Sequence, residues 1–329
     1  MELLLAALGI GLILFTLVDA LWTALWVDGA AGPLTRRATT WAWRGLLRVV
    51  GRQRHRALSL FGPVLLVTTL MAWVGLVLAG WFLLFSADPQ SLSSTGPPEA
   101  DWTGRVWFIA YSFFTVGNGD FIPKPGVWQI AASLIGATGM VLITLAISYL
   151  LSVISAVVSK RAFASQITGL GETPEALVKS GWNGHDLRPL DRLLADLSSQ
   201  LGQLTQQYES YPLLQYYHAA HPSRSPIRAV AIFDDALTLM QFGVAPDARP
   251  GPAELASARA SVKSFLGTLR SALISPATEA PPGPELGALR EHGIPAVPEH
   301  EFQREIQQLD DRRRSLLGLV QGDGWTWDR

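Results

Sequence analysis

Thr115-Val116-Gly117-Asn118-Gly119-Asp120 lies in a short segment between two long apolar stretches that carry no charge. Glycine at 117 and at 119 lets alternate residues take positive φ, so successive carbonyls of this hexapeptide can be turned toward one axis. The Thr115 hydroxyl adds an oxygen at one end, and Val116 is placed to anchor the ribbon from behind. The plain alternative is a glycine-rich turn. The sequence on either side decides between the two.

From Ala57 to Ala87, 31 residues contain no Asp, Glu, Lys or Arg, and from Pro125 to Ser159 there are 35 more. About 20 apolar residues suffice to cross a bilayer as a helix. A third candidate, Leu3 to Val27, is interrupted only by Asp19. It lacks a basic start and a small-residue cleavage pattern, so it reads as a retained span. The chain is 49% apolar and 16% charged, with a mean hydropathy of +0.24, and its charge is concentrated between and after these spans.

Arginine placement sets the expected orientation. Ala31 to Arg56 holds Arg36, Arg37, Arg44, Arg48, Arg52, Arg54 and Arg56 with no acidic residue, which predicts a cytoplasmic loop. Three spans then place the N-terminus outside, the hexapeptide opening from the external face and the long C-terminal region inside. Arg44, Arg48, Arg52 and Arg56 form an i, i+4 stripe opposite Trp43, Leu46, Leu47 and Val50, as in an amphipathic helix lying on anionic headgroups. That reading is favoured over a voltage sensor, whose arginines sit within a spanning helix. Asp19, inside a span, is either a functional group or an interfacially solvated one with a loop arginine as partner.

Ser91 to Ala100, with Gly96 and Pro97-Pro98, is turn material. Trp102 to Phe114 follows, rich in aromatics, and reads as a half-helix whose carbonyl end points into the membrane, where the negative end of its dipole favours a cation. Irregular backbone at that depth is tolerated only when buried in protein or lining a water-filled cavity. An interfacial aromatic belt is the alternative, but it leaves the glycine pair directly after it unexplained.

Trp107 to Asp120, flanked by Ala57–Ala87 and Pro125–Ser159, resembles the pore domain of potassium channels, whose filter motif is T-V-G-Y-G-D. The likeness spans roughly Ala57 to Ser159 and five of the six filter letters. It implies an all-α membrane protein: an extra transmembrane helix (1–30), a basic amphipathic linker (31–56), a two-span pore-loop domain (57–161) and an α-helical cytoplasmic domain (162–329). Within the pore domain the outer helix is 57–87, the pore helix 102–114, the filter 115–120 and the inner helix 125–159. The resemblance further implies K+ coordination by Thr115, Val116, Gly117 and Asn118, with Gly119 completing the filter. Asp120, Tyr111 and Trp107 would support it, and Gly139 or the nearby Gly136 would serve as gating hinge, close helix packing being the alternative for both. One such loop per chain implies a homotetramer.

Asn118 departs from the pattern. The family places Tyr or another large group there, packed behind the filter against pore-helix aromatics, and Asn cannot do that packing. It does tolerate left-handed backbone. A related group of channels with a polar residue at this place conducts sodium as well as potassium, so a non-selective cation channel stands as an alternative, as does a non-conducting sensor or scaffold. Phe114 stands where a second Thr is frequent. Tyr111 is placed to hydrogen-bond either Asp120 or a backbone carbonyl.

Residues 160–329 carry 17 Lys and Arg against 20 Asp and Glu, the composition of a soluble region. Leu190, Leu194, Leu197, Leu201, Leu204, Tyr208 and Tyr211 alternate steps of four and three, either an intersubunit coiled coil or packing within a helical domain. Ile227 to Phe242, Glu254 to Ile274 and Glu301 to Val320 read as further helices. Gly169-Leu170-Gly171 lacks the strand and third glycine of a dinucleotide-binding fold. His218 and His221 read as a surface pair rather than a metal site, since Pro222 ends any helix there. Trp325-Thr326-Trp327 either docks on a neighbouring surface or caps the last helix. With no cysteine, disulfides and thiolate sites are excluded. No catalytic constellation is recognisable, so no enzyme is expected, and no cofactor beyond permeant K+. Expected partners are three further copies and anionic lipid at the basic linker, with no nucleic acid and with any cytoplasmic ligand unidentified. Arginine far outnumbers lysine, which suits a bacterial source and hence a bacterial plasma membrane.

Overall fold

A computed structural model describes the chain except for residues 27–31, 51–54, 95–99, 274–275 and 328–329, and except for the side chains of 43–44, 46–50, 56–57 and 270–273. The arginine stripe of the basic linker, the turn residues 96–98 and Ile274 therefore fall wholly or partly outside the described residues.

The chain is an all-α membrane protein. Its first elements are α1 (Glu2–Leu25), α2 (Pro33–Val50), α3 (His55–Ser86), β1 (Leu92–Ser94), α4 (Trp102–Phe113), β2 (Phe121–Pro123) and α5 (Val127–Leu170). Three of these helices, α1, α3 from Leu58, and α5, are long and apolar enough to cross a membrane. Then come α6 (Pro174–Ser180), α7 (Asp191–Ser210), α8 (Pro226–Thr238), α9 (Pro252–Leu273), α10 (Gly287–Glu291), α11 (Glu299–Gln308) and α12 (Asp310–Gly322). Two compact units result: Met1–Arg44 with Pro63–Val153, and Gly45–Gly62 with Ile154–Arg329. Sequence alone put the division after residue 161. It falls instead inside α5, and 45–62 group with the C-terminal unit.

In the first unit α1 buries Gly9, Ile13, Thr16, Asp19, Ala20 and Thr23, a face stepping by three and four along the helix. Gly9 is required there: a Cβ would stand 2.6 Å from the Gly80 carbonyl oxygen of α3. Asp19 is 1% exposed, and it holds the start of α2. Its carboxylate accepts from Leu34 N (2.9 Å), Thr35 N (3.3 Å), Thr35 Oγ1 (2.6 Å) and Trp73 Nε1 of α3 (3.1 Å). The expected arginine partner is thus replaced by helix-terminal N–H groups, whose partial positive charge suits a carboxylate. Trp81 Nε1 donates to Thr138 Oγ1 at 3.1 Å and joins α3 to α5.

In the C-terminal unit the apolar seam of α7, with Leu190 before it, is buried from Leu190 to Tyr208 against α9, where Ala258, Val262, Phe265 and Leu269 are buried opposite. The seam is therefore covered within the chain rather than by another subunit. Adjacent acids of α8 each hold arginine: Asp234 takes Arg259 and Arg312, and Asp235 takes Arg313. The stretch expected as one helix, Glu301 to Val320, is two, α11 and α12, divided at Leu309. His218 is buried, not on the surface, while His221 is exposed. Trp325 stacks on His55 with ring centroids 4.0 Å apart.

Candidate functional site

The site is built on α4. Asp101 caps its N-terminus, accepting from Gly104 N at 2.9 Å. Gly104 leaves room for the Phe121 ring, which a Cβ there would meet at 2.6 Å. Arg105, 8% exposed, ties α4 to the segment after α3: it donates to Ser91 Oγ (2.8 Å), Pro89 O (2.8 Å), Asp88 O (3.2 Å) and Phe85 O. That segment pairs antiparallel with the stretch beyond the hexapeptide, Leu92 opposite Pro123, Ser93 opposite Ile122 and Ser94 opposite Phe121.

At the other end of α4 the chain leaves the helix through a last α-helical bond, Phe114 N to Ala110 O (2.9 Å), and a tightening one, Thr115 N to Ser112 O (3.2 Å). Thr115 (φ 57°), Gly117 (φ 66°) and Gly119 (φ 82°) then take positive φ, with Val116 and Asn118 between them. Handedness thus alternates residue by residue, the condition for turning successive carbonyls toward one axis. Thr115 was not foreseen in this conformation. For a β-branched residue it costs about 1–2 kcal/mol, strain of the kind held at functional sites.

Tyr111 clamps both ends of the loop. Its carbonyl accepts from Val116 N at 2.8 Å, and its hydroxyl, 6% exposed as a residue, donates to Phe121 O at 3.0 Å. Of its two expected partners, the carbonyl rather than Asp120 is the one taken. Trp107 packs edge-on against Tyr111, centroids 5.8 Å apart. Asn118 does not pack behind the loop; its amide donates to the Asp120 carboxylate two residues on. Val116, expected behind the ribbon, is 67% exposed in the single chain.

The two candidate hinges differ. A Cβ at Gly139 would stand 2.1 Å from Phe113 O, whereas at Gly136 the nearest atom is Ser112 O at 3.5 Å. Gly139 thus lets α5 approach the last turn of α4. Sequence reasoning missed Arg105, whose partners lie 14 to 20 residues away, and the two-stranded ribbon, whose three-residue strands are too short to show alternation.

A short helix ending on a glycine-alternated loop, held between two spanning helices, is the pore-loop architecture. A family model described as ion channel matches residues 64–156, and this part of the chain belongs to that ion channel family. Over nearly its whole length it is also similar to the uncharacterized membrane protein YdjJ of Bacillus subtilis strain 168, with 40% identity over 320 residues, 96% of this chain and 94% of the relative. No solved structure matches it.

Proposed function

We propose that the chain forms a homotetrameric cation channel of a bacterial plasma membrane, with potassium the favoured ion and opening controlled by the cytoplasmic helical unit. The observation that carries this reading is positive φ at Thr115, Gly117 and Gly119 immediately after α4. Carbonyl oxygens of 115–119 and the Thr115 hydroxyl would replace the hydration shell of K+, and several weak sites in series let ions leave as readily as they enter. The C-terminal end of α4 would add a negative dipole end of about half an elementary charge. One loop per chain lines only part of a pathway, and Phe114 and Val116 stand exposed on it, which supports assembly around a common axis. Arginines between α1 and α3 favour a cytoplasmic face for that loop and for the C-terminal unit, hence an external N-terminus and anionic lipid at the linker.

A second reading, a channel passing sodium as well as potassium, is favoured by one observation: the Asn118 amide turns to Asp120 instead of bracing the loop against α4. Planar bilayers under bi-ionic potassium/sodium conditions separate the two. Potassium selectivity gives a reversal potential that follows the potassium gradient. A potential indifferent to exchanging the ions, restored to potassium dependence by Asn118→Tyr, establishes the second reading. Absence of any barium-sensitive cation flux would sink both and leave a non-conducting scaffold.

A further inference from the structure

His55 opens α3, His218 lies in the irregular segment before α8, and Asp323 follows α12, yet the three form one hydrogen-bonded chain. His55 Nδ1 and His218 Nε2 are 2.9 Å apart, and His218 Nδ1 and Asp323 Oδ1 are 3.1 Å apart. The other carboxylate oxygen of Asp323 accepts from Ser225 Oγ (3.3 Å) and Trp325 Nε1 (3.1 Å). Trp325 covers the pair, its ring 2° from parallel with His55. His218 is 3% exposed. We propose that His55, His218 and Asp323 form a proton-operated latch between the first turn of α3 and the C-terminal segment, and that acid releases it.

Donor counting gives the mechanism. Asp323 only accepts, so His218 Nδ1 must donate; in the neutral ring Nε2 then accepts, and His55 Nδ1 donates to it. A first proton is accommodated: His218 carries both N–H groups, one toward Asp323, and His55 Nδ1 switches to acceptor. A second proton leaves two N–H donors facing each other across 2.9 Å, on positive rings whose centroids are 5.1 Å apart. One carboxylate cannot offset both. Among the described residues Lys160 of α5 lies within electrostatic reach of Asp323, and its ammonium donates to Leu214 O (3.1 Å) and Tyr217 O (2.6 Å). Arg161 acts on Lys160 and Tyr217, and Tyr208 also faces Asp323. Among the described residues Asp323 is the one carboxylate acting on His55. Burial, then His218, holds the His55 ring below its usual value, against the pull of Asp323. The latched form therefore binds its last proton less readily than a free imidazole: it is intact above about pH 6.5 and is lost as pH falls below that.

The latch stands on geometry alone, whereas its effect on opening rests on the channel reading. Both are tested in the full chain reconstituted in lipid. Backbone hydrogen exchange of the segment 319–327, corrected for intrinsic rates, is compared at about pH 7.5 and 5.5 beside His55→Gln, which keeps a hydrogen-bonding partner for His218 but does not titrate. Wild type should lose protection by up to about tenfold per pH unit below the transition, as expected for one proton, and the variant should not. Equal protection at both pH values in wild type, or equal loss in the variant, overturns the latch. Histidine-labelled wild type needs no substitution: the His55 imidazole should take up its proton below the usual imidazole range. A His55 ring that titrates at the ordinary value overturns it. Cation flux is read on the same preparations. A pH-dependent latch without flux at any pH refutes the channel reading alone, and flux indifferent to latch release refutes the coupling.

Discussion

Replacing Gly139 by alanine should destabilise the assembly, whereas the same change at Gly136 should not. At Gly139 the new Cβ would stand 2.1 Å from the Phe113 carbonyl oxygen, against an ordinary contact of 3.4 Å or more, so α5 and the end of α4 must separate by over an ångström. Overpacking of this kind costs about 1–3 kcal/mol. Alanine regains roughly 1 kcal/mol of helix propensity, leaving a net loss of up to about 2 kcal/mol. At Gly136 the nearest atom is already at 3.5 Å, so the propensity gain is unopposed. Thermal denaturation of the purified protein in one detergent reads both. Because the displaced carbonyl lies two residues before Thr115, where the loop begins its turn, Gly139→Ala should also disturb conduction at temperatures where the protein is still folded. A Gly139→Ala protein that melts with or above wild type, and differs from it only in open probability, would refute close packing as the reason for this glycine and favour a hinge.

Asp19→Asn removes the carboxylate that four donors share, costing about 2 kcal/mol, and should speed tryptic cleavage after Arg36 or Arg37; unchanged digestion would count against the cap. Arg105→Gln leaves the carbonyls of Phe85 and Pro89 short of a donor and should lower stability by about 3 kcal/mol in thermal denaturation, with Arg105→Lys recovering only part, because one ammonium cannot reproduce the guanidinium fork. Leu201→Ala should cost about 2–5 kcal/mol in the C-terminal unit while the oligomer measured by light scattering keeps its size; loss of subunits would mean that the seam lies between chains. Tyr111→Phe deletes the 3.0 Å bond to Phe121 O, costing about 1 kcal/mol of stability, and should shift the bi-ionic reversal potential; an unchanged potential would show that the outer end of the loop is held elsewhere.

Hydropathy made most of the fold legible, because a spanning helix must be predominantly apolar whatever it packs against. The ends of helices were less so. The inner helix reads from sequence as ending at residue 159, yet α5 continues to Leu170, the Lys160 ammonium being satisfied by carbonyls 54 and 57 residues away. The three-and-four spacing of Leu190 to Tyr208 reported an apolar stripe but could not name what covers it, since α9 and a second subunit present the same kind of surface. The break at Leu309 has neither proline nor glycine. It is marked only by Asp310 and Asp311, which suit the first turn of a new helix.

The site divides along a different line. Sequence supplies the sign of a charge and not its burial, so it left Asp19 open between a functional and a solvated group and placed His218 on the surface, whereas Asp19, Arg105 and His218 are each buried and met by partners distant in the chain. The backbone freedom of Gly117 and Gly119 was legible because its demand is local, whereas the positive φ of Thr115 and the Asn118 amide finding Asp120 two residues on were not. What replaces the missing ring at 118 was not legible. Tyr111 O holds the inner end of the loop through Val116 N, Tyr111 Oη holds the outer end through Phe121 O, and Phe121 is fixed in turn by Gly104 and by its pairing with Ser94. Both fastenings run through one residue of α4, and neither touches Asn118 or Gly119. The carbonyls at those two positions are therefore suspended between anchors rather than braced from behind. On the channel reading proposed above, fastening at Val116 and Phe121 alone makes the outer half of the loop the place where discrimination between sodium and potassium would be weakest.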